Sequence, residues 1–535
     1  MSKGAAAAAS VDRAAKVWSL IKRRGFLFPS AGPYATRGLI DYGPLGTLLK
    51  NNLRDAWWRD EVTMRGDVHP VDTSILTPPS ALRASGHLEH FTDPLVDCRL
   101  SGMRFRADHA PQLAIEEGGR IRIRAGSPAE AEQWAATVRT QHAPGARVDV
   151  RKSDVLLYVQ AGGDAAAGLV LEPGVRVPDF SGLASPATNS PFLTSPRSFN
   201  LMFRTWEGSV DVVDGATSAA HRAMTSSPGS PPSLTELRGA LAQQLDRSSM
   251  YLRPETAQGI FMQYKACAAA LPASPPFGLA QVGRAFRNEI NVEHGPFRAL
   301  EFEQMEIEFF VPPGDDVTWF DHWRSRRLAW WTSLLGSRAE VRAVDHPSDK
   351  LAHYARACTD VEFKFPWGWG EIEGIANRGD FDLRCHFGDG GDGGEPLPCV
   401  IEPSAGLGRG VLAVLFDAYD EAPNTGRTVM RINPRIAPIQ AAVLPLVKSR
   451  PEFVLEAEQV AARLRAAGVV VRLDANHSIG RRYARHDEIG TPVCLTIDGA
   501  EPSGTMTLRD RDSGAQERIH VDHIVERVKT LTGRL

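Results

Sequence analysis

The sequence predicts an α+β domain built on an antiparallel sheet, interrupted by an inserted α+β module and followed by a C-terminal α/β domain. Three observations predict it: a strand–turn–strand pattern over residues 276–310, a change of composition over about 110–180, and a β-α-β-α-β alternation after 426. The first stretch, PFGLAQVGRAFRNEINVEHGPFRALEFEQMEIEFF, reads as a hairpin with a polar turn at 291–296. Period-2 alternation puts Gly283, Ala285, Arg287 and Glu289 on one face and Val282, Phe286 and Ile290 on the other. In the second run Arg298, Phe302, Gln304, Glu306 and Glu308 share a face, with Met305, Ile307 and Phe309 opposite. The apolar sides can pack down together, leaving a platform of arginine, carboxylates and one ring. A guanidinium can hold phosphate oxygens bidentately and a ring can stack on a purine, so the platform suits a nucleotide. The plain alternative is a charged outer sheet face.

At 535 residues the chain exceeds one core and predicts two to four domains. Hydrophobic content of 43%, charged content of 23% and a formal charge of −3 are ordinary for a soluble protein and exclude a global polyanion-binding signal. Any nucleic-acid surface is therefore local. The 6 cysteines contain no C-x-x-C pair, which argues against a disulfide framework or a zinc knuckle and for a reducing, cytoplasmic setting. The alanine run after MSKG is too short for a signal h-region, and no window approaches a membrane span.

Ser10 is placed as the N-cap of a helix through Arg24, and residues 48–62 return to helical spacing after a Gly/Pro-punctuated tract. Trp57 and Trp58 read as half-buried helix residues. Over 110–180 a helix-like SPAEAEQWAATVRTQ stands between strands such as RIRIRA and DVLLYVQ. Residues 211–248, rich in Ser, Pro, Ala and Thr, read as a surface loop with one helix. The Trp-rich WFDHWRSRRLAWWTSLL reads as scaffold. Glu371, Glu373 and Arg378 stand beside glycines that let a ligand approach the backbone. Gly406-x-Gly408-x-Gly410 is weak as a dinucleotide fingerprint, because no βαβ unit with a ribose-binding acid surrounds it. In the last domain Arg481, Arg482, Arg485, Arg509 and Arg511 lie among polar turns; alone, such arginines are more often a solvated face paired with nearby acids.

The pattern Phe286-Arg287-Asn288-Glu289, a loop, then Phe297-Arg298-x-x-Glu301-Phe302-Glu303-Gln304-Met305-Glu306 resembles motif 2 (about 277–310) of class II aminoacyl-tRNA synthetases, specifically the dimeric glycyl-tRNA synthetase family. The helix KNNLRDAWWRDE and the run to Pro79 resemble motif 1 (about 48–79), and VIEPSAGLGRGVLAVLFDAY resembles motif 3 (about 400–419). SGH, FTDPLVDC, RADH, SPRSFNLMF and YLRPETAQGIFMQY are similar to further signatures of that family. Ser195 and Leu300 depart from it, where a glutamate and an arginine are usual. Where relatives carry a Cys-Pro-x-Cys-Gly pair this chain has PATNSPF, so no zinc site is expected.

The resemblance implies a class II catalytic domain over 10–425, with insertions at 110–180 and 211–248, and an anticodon-binding domain over 426–535. It implies ATP-dependent activation of glycine and its transfer to glycine tRNA, with Mg²⁺ on the phosphates and a homodimer through motif 1. Arg287, Arg409 and Glu255 are the implied catalytic residues, Arg287 on the α-phosphate and Arg409 on the γ-phosphate. Asn288, Glu289, Phe297, Arg298, Phe302, Glu371, Ile372 and Gly406 complete the implied ATP site. Glycine is implied to meet Arg106, Glu255, Phe302, Gln304, Glu306, Arg378, Glu402, Ser404 and Gly406. A pocket for glycine must grip ammonium and carboxylate and leave no room at the α-carbon. Arg481, Arg482 and Arg485 are implied tRNA contacts. Two other readings stay open here: a relative that loads glycine on a different acceptor, and a non-catalytic RNA-binding relative.

Overall fold

The computed structural model describes residues 3–30, 32–34, 37–116, 120–142, 147–151, 155–160, 170–171, 175–176, 182–208, 211–225, 232–271, 273–389, 396–421, 426–500 and 502–533. Residues 390–395 of the glycine-rich tip, the break at 422–425, 226–231 of the Ser/Pro tract and 161–169 of the insertion, all parts of the expectations above, lie outside them. Met1–Ser85, Thr205–Phe286 and Glu293–Leu535 form one compact unit; Gly86–Arg204 and Arg287–Val292 form a second.

The first unit is organised on a seven-stranded sheet. Its hairpin, Phe277–Phe286 against Glu301–Val311, is flanked by Val68–Pro70 on one side and by Cys399–Gly406, Gly368–Gly379, Ala357–Phe365 and Val341–Asp345 in turn on the other. All pairings are antiparallel except that of Val68–Pro70 with Phe277–Phe286. The hairpin register sets Ala285 against Phe302, Gly283 against Gln304 and Val282 against Met305. Met305, Ile307 and Phe309 face the large core, where Leu49, Leu53 and Trp57 from the helix Pro44–Trp58 meet Trp323 and Trp331 from the helix Asp316–Leu334. Trp57 is wholly buried, which corrects its half-buried reading. The helix Leu407–Ala418 crosses the same face, and Gly410 lets it do so: a Cβ there would stand 2.6 Å from the Trp331 ring.

Three expectations about these elements change. The first hairpin strand ends at Phe286, so Arg287, Glu289 and Ile290 are in no strand, and the connection is much longer than a tight turn. Left-handed His294 and Gly295 lead into a short 3₁₀ turn that carries Phe297. The first helix begins at Lys3, ahead of Ser10. Residues 211–248 hold two helices, Val212–Thr225 and Leu234–Arg247, packed on each other. The signal for the second was legible in Ser233-Leu-Thr-Glu236, a capping box in which the Ser233 hydroxyl accepts from the Glu236 N–H and the Glu236 carboxylate accepts from the Ser233 N–H.

At the C-terminus, Val471–Leu473, Ala441–Pro445 and Val493–Ile497 pair in parallel, and Thr505–Asp510 and Gln516–His520 extend the sheet antiparallel. Its core is separate, built of Val443, Leu495 and Leu508 under Ala457, Val460 and Leu464 of the helix Pro451–Ala466. In the second unit the strands Ile115–Glu116, Arg120–Arg124, Leu156–Gln160 and Arg147–Arg151 form a sheet in that order. Ile121, Ile123, Leu157 and Val159 pack with Ala131 and Trp134 of the helix Pro128–Thr137. No described helix is long and apolar enough to cross a membrane.

Candidate active site

The polar face of the hairpin is not an outer surface. Gln304, Glu306 and Glu308 are all buried. Register brings further polar groups beside them, since Glu306 lies opposite Ser404 and Gln304 opposite Gly406, while Glu402 lies opposite Ala376 on the next strand. A bulge between Asn377 and Gly379 ends that strand and delivers Arg378 to the same face. The segment before the helix Ala257–Ala270 adds Glu255 and Thr256. The Thr256 N–H donates to Gln304 Oε1 at 3.2 Å, its hydroxyl donates to Glu306, and Gln304 donates to the Ser404 hydroxyl at 3.2 Å. Gly283 gives this arrangement its room, because a Cβ there would stand 2.1 Å from Arg253.

Arg378 is the hub. Its Nε and Nη2 donate to the two oxygens of Asp382 at 2.7 and 2.8 Å, its Nη1 donates to Glu402 at 2.7 Å, and Glu255 lies 4.0 Å from Nη2. The guanidinium stacks 3.8 Å from the Tyr354 ring centre. Gln258 joins Asp382 (2.9 Å) to Glu255 (3.3 Å), and His386 meets the Gln258 carbonyl oxygen at 2.9 Å. Thus five carboxyl groups, Glu255, Glu306, Glu308, Glu402 and Asp382, cluster about Arg378. Burial is the first cause that pushes Glu402 up to about 8, with Glu306 and Glu255 adding and Arg378 opposing. Glu306 is raised too, by burial and then by Glu255.

A second cluster lies along the same strands. Arg409 Nε donates to the Phe297 carbonyl at 3.0 Å and Nη1 to the Glu371 carboxylate at 2.8 Å, with the guanidinium 4.8 Å above the Phe297 ring. Asp360, 2.9 Å from His346, is pushed up to about 6 by burial and then by Glu371. Phe302 is half-buried and lines a cavity with Tyr42, Lys50 and Gly408. Ile372 is a core residue. Arg298 is half-buried and bridges back to Glu293.

Glu373 corrects an expectation, because it points into the core and accepts from Arg327 at 2.7 Å and from the Trp331 ring N–H at 2.6 Å. The helix of Arg327, expected as scaffold, thus carries a buried charge that its Trp-rich composition does not announce. Sequence reasoning also missed Thr256, Gln258, Tyr354 and Asp382. Asp382 had a signal, four residues after Arg378.

In the second unit Arg106 donates to both oxygens of Asp108, at 3.1 and 2.8 Å, and pairs with Asp93 at 3.0 Å. Arg287 lies 5.2 Å from the Phe91 ring centre, the Asn288 N–H donates to Leu201 at 2.7 Å, and the Glu289 N–H donates to Arg287 at 2.8 Å. In the C-terminal domain the three implied tRNA contacts part company. Arg481 is exposed, and Arg485 is half-buried on Asp474 at 2.6 Å. Arg482 is only 2% exposed and donates to the carbonyls of Pro445, Asp474 and Leu446 at 2.7, 3.1 and 3.2 Å. It is spent inside the domain, which corrects its expected place at the surface. Arg509 and Arg511 are buried as well.

Residues 440–531 match the family model described as an anticodon binding domain. The chain is 39% identical to the protein named glycine–tRNA ligase of Thermus thermophilus over 95% of this chain and 96% of that one. It is 38% identical to proteins of the same name from Bifidobacterium longum, over 97% and 92%, and Nocardia farcinica, over 95% and 95%. Likeness of this depth along nearly the whole of both chains shows that the chain belongs to the glycine–tRNA ligase family.

Proposed function

We propose that this chain activates glycine with ATP to glycyl-adenylate and transfers the glycyl group to the 3′ end of glycine tRNA. The surplus of buried carboxylates around Arg378 carries the reading. One guanidinium, Arg378, bonds Asp382 and Glu402 and stands 4.0 Å from Glu255, while Glu306 accepts from the Thr256 hydroxyl, so carboxylates outnumber the cation they share. The ammonium of glycine is the counter-charge such a wall selects. Glu255, Glu306 and Glu402 hold it, Ser404 and Gln304 fix the rim, and Phe302 and Gly406 bound the pocket. Arg378 keeps the wall in register, and the resemblance offers it or Arg106 to the glycine carboxylate.

The sheet with its hairpin and the 400–419 element is read as the class II catalytic fold, spanning 10–425 with insertions at 110–180 and 211–248. In the first step a glycine carboxylate oxygen forms a bond to the α-phosphorus and pyrophosphate leaves; in the second the tRNA hydroxyl attacks the glycyl carbonyl and AMP leaves. Positioning and neutralisation of charge dominate such chemistry. Arg287, with Asn288 and Glu289, is assigned to the α-phosphate end of ATP, and Arg409 to the γ-phosphate. Glu371, Phe297 and Phe302 are assigned to the nucleotide. Mg²⁺ suits Asp360 and Glu371, hard oxygen ligands that repel one another; when bound it neutralises phosphate charge.

The match of 440–531 to an anticodon binding domain supports tRNA as acceptor, with Arg481 as the exposed contact and Arg485 beside it. A homodimer through the motif 1 region is supported by exposed Met64 and Leu76. A translation enzyme of this kind works in the cytoplasm. The test is a charging assay with ATP, glycine and total tRNA. Glycine should become esterified to tRNA only when ATP and tRNA are both present; pyrophosphate exchange without charging would refute the acceptor, and no exchange would refute the activation.

A further inference from the structure

Glu308 lies two residues beyond Glu306 on the same strand, and the proposed chemistry does not use it. It is 0% exposed, its cross-strand neighbour is Leu279, and among the described residues neither of its carboxyl oxygens has a hydrogen-bond partner. One oxygen from each of Glu306, Glu308 and Glu402 lies within 4.8 Å of the others. The charged groups facing Glu308 are Glu306 on its own strand, Glu402 on Cys399–Gly406, Arg378 at the end of Gly368–Gly379 and Asp382 on the helix Phe381–Phe387. Glu255 and Arg253, from the segment before Ala257–Ala270, act on Glu306. Neither cation is free for Glu308. Arg378 is spent on Asp382 and Glu402, and Arg253 on the carbonyls of Arg284 and Thr73 and the Thr73 hydroxyl.

An ionised carboxylate in that position has lost its water and gained two anionic neighbours, and neutralising it costs far less than keeping the charge. Burial first, then Glu402 and Glu306, drives its titration well above the ordinary carboxylate range. A metal ion is the other way to relieve three clustered carboxylates, but the donor set does not suit one. One oxygen of Glu402 already accepts from Arg378 and one of Glu306 from the Thr256 hydroxyl, which leaves fewer than the six to eight oxygens that Ca²⁺ takes, and Mg²⁺, which keeps several waters, would have to carry them in among buried side chains.

We infer that Glu308 is a neutral carboxylic acid in the working protein and a positioning residue for the acidic pocket, its proton turned toward Glu306 and Glu402, whose oxygens lie within 4.8 Å of its own, and so fixing the spacing of those two side chains. The inference about positioning rests on the pocket being the glycine site; the protonation itself does not. Three carboxyl groups that carry a proton among them approach as three anions cannot, leaving the outer oxygens of Glu306 and Glu402 for the incoming ammonium.

The test is infrared spectroscopy of the full chain at pH 7, comparing the parent with Glu308→Gln. The parent should show the carbonyl stretch of protonated carboxylic acids, Glu402 among them, shifting in D₂O, and the variant should lose one component. A parent without such a band, a band untouched by the substitution, or a stoichiometric metal ion lost on substitution would each overturn the proposal. Kinetics supply the positioning readout. Glu308→Leu, which removes the donor, should raise the glycine KM by about tenfold with the ATP KM unchanged, the loss expected when a buried acceptor is left unpaired. Glu308→Gln, which keeps an N–H donor, should recover most of that loss, and equal defects in the two variants would contradict the role. If Glu308→Leu does not fold, the parent spectrum against Glu308→Gln decides. If the parent shows no glycine-dependent exchange at all, the functional reading fails while the spectrum still judges the proton.

Discussion

The same sheet buries an arginine among carboxylates on both of its faces, and the two sites differ in charge balance. On the core face Arg327 donates to Glu373 and to Glu61, and Arg326 adds a second guanidinium on Glu61 at 2.6 Å. Two carboxylates meet two guanidinium groups, so the charges balance, with Arg327 Nη2 the one guanidinium nitrogen of that residue left without a hydrogen-bond partner among the described residues. On the pocket face Arg378 bonds Asp382 and Glu402 and pairs with Glu255 at 4.0 Å, while Glu306 accepts from the Thr256 hydroxyl and, among the described residues, Glu308 has no hydrogen-bond partner. A balanced buried cluster is scaffold; one with a surplus of a single sign is incomplete until protons or a ligand complete it. Sequence position does not tell the two apart, since Glu373 and Arg378 stand five residues apart on one strand.

The largest effect that would break this comparison lies on the core face. Arg327→Ala leaves Glu61 and Glu373 buried without their shared partner, and removing one member of a buried pair costs about 3–5 kcal/mol. Thermal unfolding should show a steep loss of stability, with any remaining folded protein still active. On the pocket face Glu402→Gln should do the reverse. It removes one carboxylate from a surplus, so at pH 8 the melting temperature should hold or rise, while glycine-dependent pyrophosphate exchange should fall by roughly 10², as for other lost transition-state contacts. A melting temperature that drops as far as for Arg327→Ala would make the pocket another scaffold cluster. Next comes Arg287→Ala, which should cost about 10² to 10³ in exchange rate with the fold intact.

Much of this was legible in the residues. Met305, Ile307 and Phe309 announced the hairpin by alternation, and the polar residues between them marked the face that carries the pocket. Alternation could not show that the polar face is buried, because burial depends on what the 254–258 segment and Arg378 bring over it from distant parts of the chain. Nor could it end the strand at Phe286. Arg482 was misjudged for a related reason: GRRYAR shows three arginines, but only helix geometry decides that the middle one turns inward to backbone carbonyls while Arg481 stays in water. Ser233-x-x-Glu236 was a local signal that composition obscured.

Two smaller effects sharpen the contrast. Glu402, raised to about 8 from an ordinary value near 4.5, binds its proton more tightly in the folded chain. Its contribution is therefore fully present below about pH 4.5 and is lost as pH rises through 8, so the melting temperature of the parent should fall between these limits and Glu402→Gln should flatten the fall. A profile unchanged by the substitution would place the proton elsewhere. Arg481→Ala should leave pyrophosphate exchange intact and reduce the log–log salt slope of tRNA binding by about one unit. Arg482→Ala should instead lower the stability of the C-terminal domain, and a stable Arg482→Ala domain would contradict its role inside the fold.

The central claim is that the surplus of carboxylates is a receptor for the ammonium of glycine, and Glu255→Gln tests it most directly because Glu255 meets Arg378 at 4.0 Å, farther than the 2.7 Å bonds by which Arg378 holds Asp382 and Glu402. Pyrophosphate exchange measured against glycine and against ATP should show the glycine KM raised about tenfold or more, with the ATP KM unchanged, as the loss of one charge-assisted hydrogen bond requires. A glycine KM equal to that of the parent, or an equal rise in both constants, would contradict it.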